Sequence, residues 1–329
     1  MALQAFSSLG PSNGRAARGY AYIALTTLLF SSMEIALKTV AGRFNPLQLN
    51  FLRFTIGGFF LLPFALRSLK KRGSVLTSRD ASFFALSGFA CVVASMSLYQ
   101  LAIQYSKASI VAILFSCNPV FVLPLAAIFL KEKIHGYNLA TLAASLIGMF
   151  CIVNPFNAGA EVSPLGLVLS VGSAITFAAY GVMGKTRGDR IGGLATTAFS
   201  FLFGSAELVV LILLSNLPAV AQGLMGTGLV EFAYIPFLKG LDFGVLPIFA
   251  YISLCVTGIG FASYFMAIEE TSASTAALVF YIKPALAPLL ALLILGESIA
   301  PSTIAGIVLI AIGSAISFAG PHLARSKKV

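Results

Sequence analysis

Charged residues are scarce in this 329-residue sequence, and their scarcity excludes most classes of soluble protein. Only 10% of the residues are charged whereas 58% are hydrophobic, and a soluble domain usually carries about 25% charged residues. The apolar runs are of helical length, tolerate glycine and show no strict alternation of polar and apolar residues, so they favour helices over a β-barrel. The sequence therefore predicts an all-α integral membrane protein.

The residues that most often carry catalytic or metal chemistry are also few. There are two histidines, and the four cysteines all lie inside apolar runs without forming a CxxC pair, so they indicate neither a disulfide nor a metal site. No GxxxxGK[ST] motif occurs, which argues against ATP hydrolysis by this chain. We therefore expect no enzymatic activity, no cofactor and no metal.

The net charge of +10 comes from lysines and arginines that flank the apolar runs, and we interpret it as a sign of topology rather than of nucleic-acid binding. A membrane-spanning helix needs roughly 20 apolar residues. The predicted spans are 18–41, 46–67, 81–105, 107–130, 136–156, 163–185, 193–216, 243–268, 272–295 and 300–320. Most basic residues then fall on the side of the N-terminus, which predicts cytoplasmic tails at 1–17 and 321–329 in a cell membrane, inner or plasma.

One stretch occurs twice. Residues 102–134 and 267–299 align without a gap at a constant offset of 165 residues (267 minus 102), with proline at 119 and 284 and glutamate at 132 and 297. The predicted halves, 18–156 and 163–320, contain five helices each, and an odd number inverts the second half in the membrane. We expect Glu132 and Glu297 to hold the turns into the fifth and tenth helices.

These motifs resemble the EamA type of the drug/metabolite transporter superfamily. The resemblance rests on Lys38, Pro46, Arg53, Phe54, the paired Pro119…Glu132 and Pro284…Glu297 segments, Gly148 and Gly313. It implies alternating access and the transport of small metabolites such as amino acids, without specifying the substrate. The halves also differ, because Ser200 stands where the first half has Arg53 and Gly296 where it has Lys131.

Lys283 is the sharpest candidate for a binding residue. It lies in the middle of the ninth helix, and its repeat partner is Asn118, each followed by proline. A lysine at that depth costs about 3 kcal/mol on insertion scales, so it should face protein or water. Either it binds an anionic substrate group, commonly a carboxylate, or a carboxylate on the first or seventh helix neutralises it.

Four other charged residues are candidates for proton coupling or gating. Glu34 and Lys38 are spaced for a local salt bridge, but Glu34 could instead carry a proton or bind a substrate amine. Arg53 either extends to the outer headgroups or contacts a substrate carboxylate. Glu207 is a second candidate for proton coupling.

Tyrosines and serines complete the predicted site. Tyr99 and Tyr264 are repeat-equivalent and could be matching gates or ordinary packing residues. Tyr180, Tyr281 and Ser32 are further candidates to line a substrate cavity.

The predicted function is secondary active transport of a small metabolite, with an amino acid or related carboxylate and export favoured. A phosphorylated or sulfonated anion and a cationic drug-like compound are the alternatives, followed by a lipid flippase or a channel. The expected partners are the substrate and the lipid bilayer, not nucleic acid. Oligomeric state is open, and a homodimer is one option.

Overall fold

The computed structural model describes residues 11–132, 134, 136–153, 163–297 and 299–326. These residues form helices and connecting turns, and the only β-type pairing among them is an isolated bridge between Ala41 and Phe44. The all-helical fold predicted from the apolar runs is confirmed.

We number the long helices in chain order. Their bounds are α1 Gly14–Thr39, α2 Pro46–Arg72, α3 Ser78–Tyr105, α4 Ala108–Leu130, α5 Gly136–Val153, α6 Pro164–Ile191, α7 Gly193–Ser215, α8 Leu246–Glu270, α9 Ala273–Leu295 and α10 Pro301–Ser326. Eight of them, α1–α4 and α6–α9, are long and apolar enough to cross a membrane. The prediction of ten spans therefore stays a prediction at α5 and α10.

The chain ends differ somewhat from the predicted tails. Helical residues begin at Pro11, so part of the predicted tail 1–17 extends α1, and α10 continues to Ser326. The remainder of the two predicted tails, 1–10 and 327–329, lies outside the described residues, as does the linker between the predicted halves.

Local sequence signals set where the helices begin and end. Asn45 caps α2 by accepting hydrogen bonds from the backbone of Leu47 and Gln48, and Pro46 occupies the first turn, where its missing N–H is not needed. The same helix ends at Gly73, whose φ of +62° is the left-handed conformation that glycine adopts without steric cost.

Helix packing follows the repeat. Helices α2 and α7 pack on each other, as do α4 and α9, and α5 and α10, while α1 packs on α8 as α6 packs on α3. The contact between α3 and α7 requires glycine on both sides. A Cβ at Gly88 would lie 2.5 Å from the carbonyl oxygen of Ser200, and one at Gly204 would lie 2.7 Å from that of Gly88.

Several helices are interrupted along their length. Helix α1 turns at Ser32, α4 breaks before Asn118, and α9 breaks after Ala276. Helices α3 and α8 contain π-helical stretches at Phe89–Ser95 and Tyr251–Gly260. Such interruptions place polar backbone groups at membrane depth only where protein or water surrounds them.

The bundle has two ends, which we name by the first helix. The N-terminal face is where α1 begins. Arg72 at the end of α2 contacts Glu269 at the end of α8 there, and Arg18 of α1 contacts Glu270. The opposite face is where α1 ends, and there Arg43 forms an ion pair with Asp242.

Candidate functional site

Three fully buried side chains from three helices meet in the core. Glu34 of α1 forms an ion pair with Lys283 of α9 and accepts a hydrogen bond from the hydroxyl of Tyr99 on α3. The ammonium of Lys283 also lies 3.5 Å from the Tyr99 oxygen. All three side chains have essentially no solvent exposure, so helices distant in sequence bring one charged network together.

Aromatic rings surround the ammonium group. The Lys283 nitrogen lies 5.0 Å from the ring centroid of Phe115 and 5.7 Å from that of Tyr99. Phe115 in turn lies 5.7 Å from Phe280 and 5.3 Å from Phe177, centroid to centroid. Ring faces stabilise a cation most strongly where water is excluded, so the Phe115 and Tyr99 rings stabilise the buried charge of Lys283.

The partner of Glu34 differs from the nearest one in sequence. The prediction of a local salt bridge between Glu34 and Lys38 is wrong. The Lys38 ammonium instead donates to the carbonyl oxygens of Ile103 at 2.7 Å and Ser106 at 2.8 Å. Lys283 replaces it as the counter-ion, as the alternative interpretation of that lysine expected. A buried charge needs a close, well-oriented opposite charge, and the packing of α9 against α1 supplies one.

Arg53 is buried beside this network. Its side chain has no solvent exposure, so the expectation that it reaches the outer headgroups is wrong. Its Nε donates to the Asn50 side chain at 3.0 Å, its Nη1 lies 3.9 Å from the Met33 sulfur, and its guanidinium lies 4.6 Å from the centre of the Phe54 ring. Asn50 donates in turn to Ser97. No carboxylate among the described residues pairs with Arg53, and its Nη2 has no hydrogen-bond partner.

The repeat contains an uncharged counterpart of the ion-paired network. At the offset of 147 residues that relates α1 to α6 (177 minus 30), Gly181 stands where Glu34 does. A Cβ on Gly181 would lie 3.3 Å from the hydroxyl of Tyr264, the equivalent of Tyr99. Asn118, the equivalent of Lys283, donates its amide to the Ala174 carbonyl of α6 at 2.9 Å. The two half-sites thus share geometry, and only one of them carries charge.

The other predicted site residues are distributed around this core. Tyr264 and Tyr180 are buried in the aromatic cluster, and no described residue forms a hydrogen bond with the Tyr180 hydroxyl. Tyr281 is buried on α9. Ser32, at the turn of α1, makes a 2.6 Å hydrogen bond with Tyr251. These four side chains line the core, but no hydrogen bond joins them to the Glu34 carboxylate among the described residues.

Glu207 is separate from the network. It is half-buried on α7, and among the described residues it forms no ion pair. One of its carboxylate oxygens is buried and has no hydrogen-bond partner within the described part of the chain. Its role in proton coupling stays a prediction.

Sequence reasoning missed one polar residue of the core and misassigned a pair of glutamates. Asn50 gives no signal in the sequence, because a single buried amide also serves helix packing. Glu132 and Glu297 were expected to hold the turns that follow them. Instead, Glu297 accepts hydrogen bonds at the start of α4, and Glu132 accepts one at the start of α9.

The family profile that matches the chain covers both halves. The description of that family is the EamA-like transporter family, and the match spans residues 17–154 and 164–319. The chain belongs to the EamA-like transporter family. The resemblance inferred from the repeated proline and glutamate motifs is confirmed, and the protein is a multi-pass membrane protein of a transporter family.

Individual relatives agree with this family assignment. An uncharacterized transporter from Clostridium kluyveri is 36% identical over 94% of this chain and 96% of its own length. The uncharacterized transporter YyaM from Bacillus subtilis is 22% identical over 84% of this chain and 85% of its own length. A crystal structure superimposes with a TM-score of 0.64 over 95% of this chain and 99% of that chain, at 16% identity, which supports the fold alone.

Proposed function

We propose that this EamA-like protein is a secondary active transporter that exports a small carboxylate, most favourably an amino acid, by alternating access. The observation that carries the proposal is the charge balance of the core. The core contains two buried cations, Lys283 and Arg53, but the buried carboxylate of Glu34 pairs with Lys283 alone. A site with a surplus of positive charge in a membrane interior favours an anionic group.

The proposal includes ten membrane spans arranged as two inverted five-helix repeats. The packing supports this arrangement, since each half contributes one partner to the α2–α7, α4–α9 and α5–α10 contacts. A two-fold axis in the membrane plane relates such halves, and substrate sites of inverted-repeat transporters lie near the midplane at the repeat interface. The proposed orientation places both termini in the cytoplasm of a cell with an inner or plasma membrane.

The core residues would perform two tasks. The surplus cation binds the carboxylate, while Glu34 offers an acceptor for an ammonium group or a proton. One oxygen of Glu34 has no hydrogen-bond partner in the described structure, so a substrate amine could bind there without first displacing Lys283.

A phosphorylated or sulfonated anion is the second candidate, because the same charge surplus would accept it. An arginine binds phosphate and carboxylate by the same planar pair of N–H groups. Competition for transport between carboxylates and phosphorylated or sulfonated anions decides between the two candidates.

Counterflow in proteoliposomes tests the proposal. Vesicles containing purified protein are loaded with one unlabelled amino acid at a time and then given the same amino acid labelled with ¹⁴C outside. Transport predicts transient, saturable accumulation that protein-free vesicles do not show. Linear flux that never saturates would indicate a channel, and no accumulation with any amino acid would refute the proposed substrate class.

A further inference from the structure

Arg53 differs from the other buried cation of the core. Lys283 already has a carboxylate partner in Glu34, whereas Arg53 has none among the described residues. Its known contacts are neutral: an amide oxygen, a thioether and a ring face. Burying an arginine without a counter-ion is costly, so an exogenous anion would satisfy a group that the protein leaves unpaired.

The surroundings of Arg53 hold its guanidinium in one orientation. Asn50 fixes Nε, and Asn50 is itself fixed by Ser97. The Phe54 ring supports the flat face of the guanidinium. Its unbonded Nη2 then remains free for a further acceptor. An oriented guanidinium with a free N–H group suits a planar carboxylate.

We propose that Arg53, rather than Lys283, is the residue that binds the anionic group of the transported substrate, and that Lys283 is the internal counter-ion of Glu34. This inference rests on the proposed function. It defines the substrate as a molecule with one carboxylate for Arg53 and, where it carries an amine, an ammonium for the free oxygen of Glu34. The second half cannot offer the same site, since Ser200 replaces Arg53 and bonds to Ser87 instead.

Variants of the two cations separate the assignments. The assay is counterflow of the ¹⁴C-labelled amino acid that the wild type transports best, with Arg53→Gln, Arg53→Lys and the double variant Glu34→Gln/Lys283→Met. We expect R53Q to raise KM about 30-fold or more, as truncating one partner of a buried charge pair does. R53K should recover part of the affinity. The exposed Arg43→Gln is the matched control and should match the wild type.

The double variant gives the decisive comparison. It removes Lys283 and its counter-ion together, so binding of an amine-free monocarboxylate, propionate, measured as stabilisation of the purified protein against unfolding, should persist in it and disappear in R53Q. Stabilisation that disappears in the double variant and persists in R53Q would overturn the assignment to Arg53. A wild type that transports no amino acid refutes the proposed function instead, so the two failures are distinguishable. Gel filtration and maleimide labelling of the buried Cys91 report whether each variant is folded.

A second inference comes from the two ends of the bundle. The Glu297 carboxylate, at the end of α9, accepts hydrogen bonds from the Ala108 N–H at 3.0 Å, the Ser109 N–H at 3.1 Å and the Ser109 hydroxyl at 2.6 Å. At the N-terminal face the repeat-equivalent Glu132, at the end of α4, accepts from the Ser274 hydroxyl at 2.5 Å. Glu297 therefore caps α4, and Glu132 bonds to a side chain in the first turn of α9.

Two lysines repeat this pattern. Lys38 at the end of α1 donates to the carbonyl oxygen of Ile103 at 2.7 Å, and Lys185 of α6 donates to that of Ile268 at 3.0 Å. The acceptors are themselves repeat-equivalent, at the offset of 165 residues (268 minus 103). Each face is thus closed by one lysine and one glutamate, and the charge-assisted bonds they make are the stronger kind of hydrogen bond.

We infer that these two sets are latches that open one face at a time. The glutamates join α4 to α9, which belong to different halves, so a rocking motion of one half against the other must break one of the two contacts. The structure has both sets closed. Because the contacts lie on opposite faces, weakening one should expose the core from that side alone.

Side-specific labelling tests the latches. A single cysteine replaces Ser116 beside the buried core in a background without the native cysteines, and a membrane-impermeant maleimide is added to right-side-out or inside-out vesicles. We expect Glu297→Gln to raise labelling about tenfold from the opposite face only, and Glu132→Gln from the N-terminal face only. Ser109→Ala, which removes one bond, should act weakly in the same direction as E297Q.

Controls match each face. Glu231→Gln removes a carboxylate bonded to Gln104 at the opposite face, and Glu270→Gln removes one paired with Arg18 at the N-terminal face. Both control contacts also join the two halves, but they are exposed to solvent, whereas the latch contacts are part-buried, so their loss should change labelling far less. Equal labelling from both faces in E297Q, or wild-type labelling in both E297Q and E132Q, would overturn the inference.

Discussion

Removing one partner of the Glu34–Lys283 pair should destabilise the protein far more than removing both. Each side chain is fully buried, and breaking a buried pair by deleting one partner costs about 3–5 kcal/mol because the other charge is left uncompensated. Lys283→Met leaves Glu34 with only the Tyr99 hydroxyl, so we expect about 4 kcal/mol.

The reverse deletion should cost somewhat less. Glu34→Gln leaves Lys283 near the Tyr99 oxygen and over the faces of two aromatic rings, and a desolvated cation–π contact can return about 2 kcal/mol. We expect about 3 kcal/mol for E34Q. The double variant should lose only about 1 kcal/mol, since no unpaired charge remains. The coupling energy would then be about 6 kcal/mol, from 3 plus 4 minus 1.

Thiol labelling during denaturant titration in detergent measures these free energies. Cys91 and Cys117 are buried, so a fluorescent maleimide reports unfolding, while the half-buried Cys151 and Cys255 set the baseline. Asn118→Ala, at the uncharged half-site, is the matched control and should cost much less. Single variants that each lose under about 1 kcal/mol, or a double variant that loses the sum of the singles, would refute the pairing.

Three further predictions concern stability alone. Lys131 has a φ of +55° where the second repeat has Gly296 at +68°. Lys131→Gly should therefore relieve about 1 kcal/mol of backbone strain and raise the unfolding midpoint in the same titration. An unchanged or lower midpoint would contradict this prediction. Gly88→Ala should separate α3 from α7 and cost about 2 kcal/mol or more, whereas Gly223→Ala, which meets no neighbour, should not. Asp80→Asn should cost about 2–3 kcal/mol, because the buried carboxylate pairs with arginines of α6 and caps α3; a loss below about 0.5 kcal/mol would contradict that role.

The broad architecture could be predicted from the sequence because it depends on local and periodic properties. Apolar runs of helical length, flanked by basic residues, define the helices without reference to other parts of the chain. The gapless repeat of residues 102–134 at 267–299 predicted the duplicated organisation and the family resemblance. The burial of Lys283 was also predictable, since hydrocarbon excludes an unpaired lysine.

The identity of charged partners was decided only by the tertiary structure. Glu34 lies one helical turn from Lys38 but pairs with Lys283, because Lys38 donates to a carbonyl oxygen at the end of α3. The glutamates at the helix ends show the same, because Glu132 and Glu297 each accept hydrogen bonds from a helix of the other half. Spacing along the sequence specifies which groups share a helix face, whereas the partner of a buried charge depends on which helices pack together. The unpaired state of Arg53, on which the substrate proposal depends, is for that reason a property of the folded bundle.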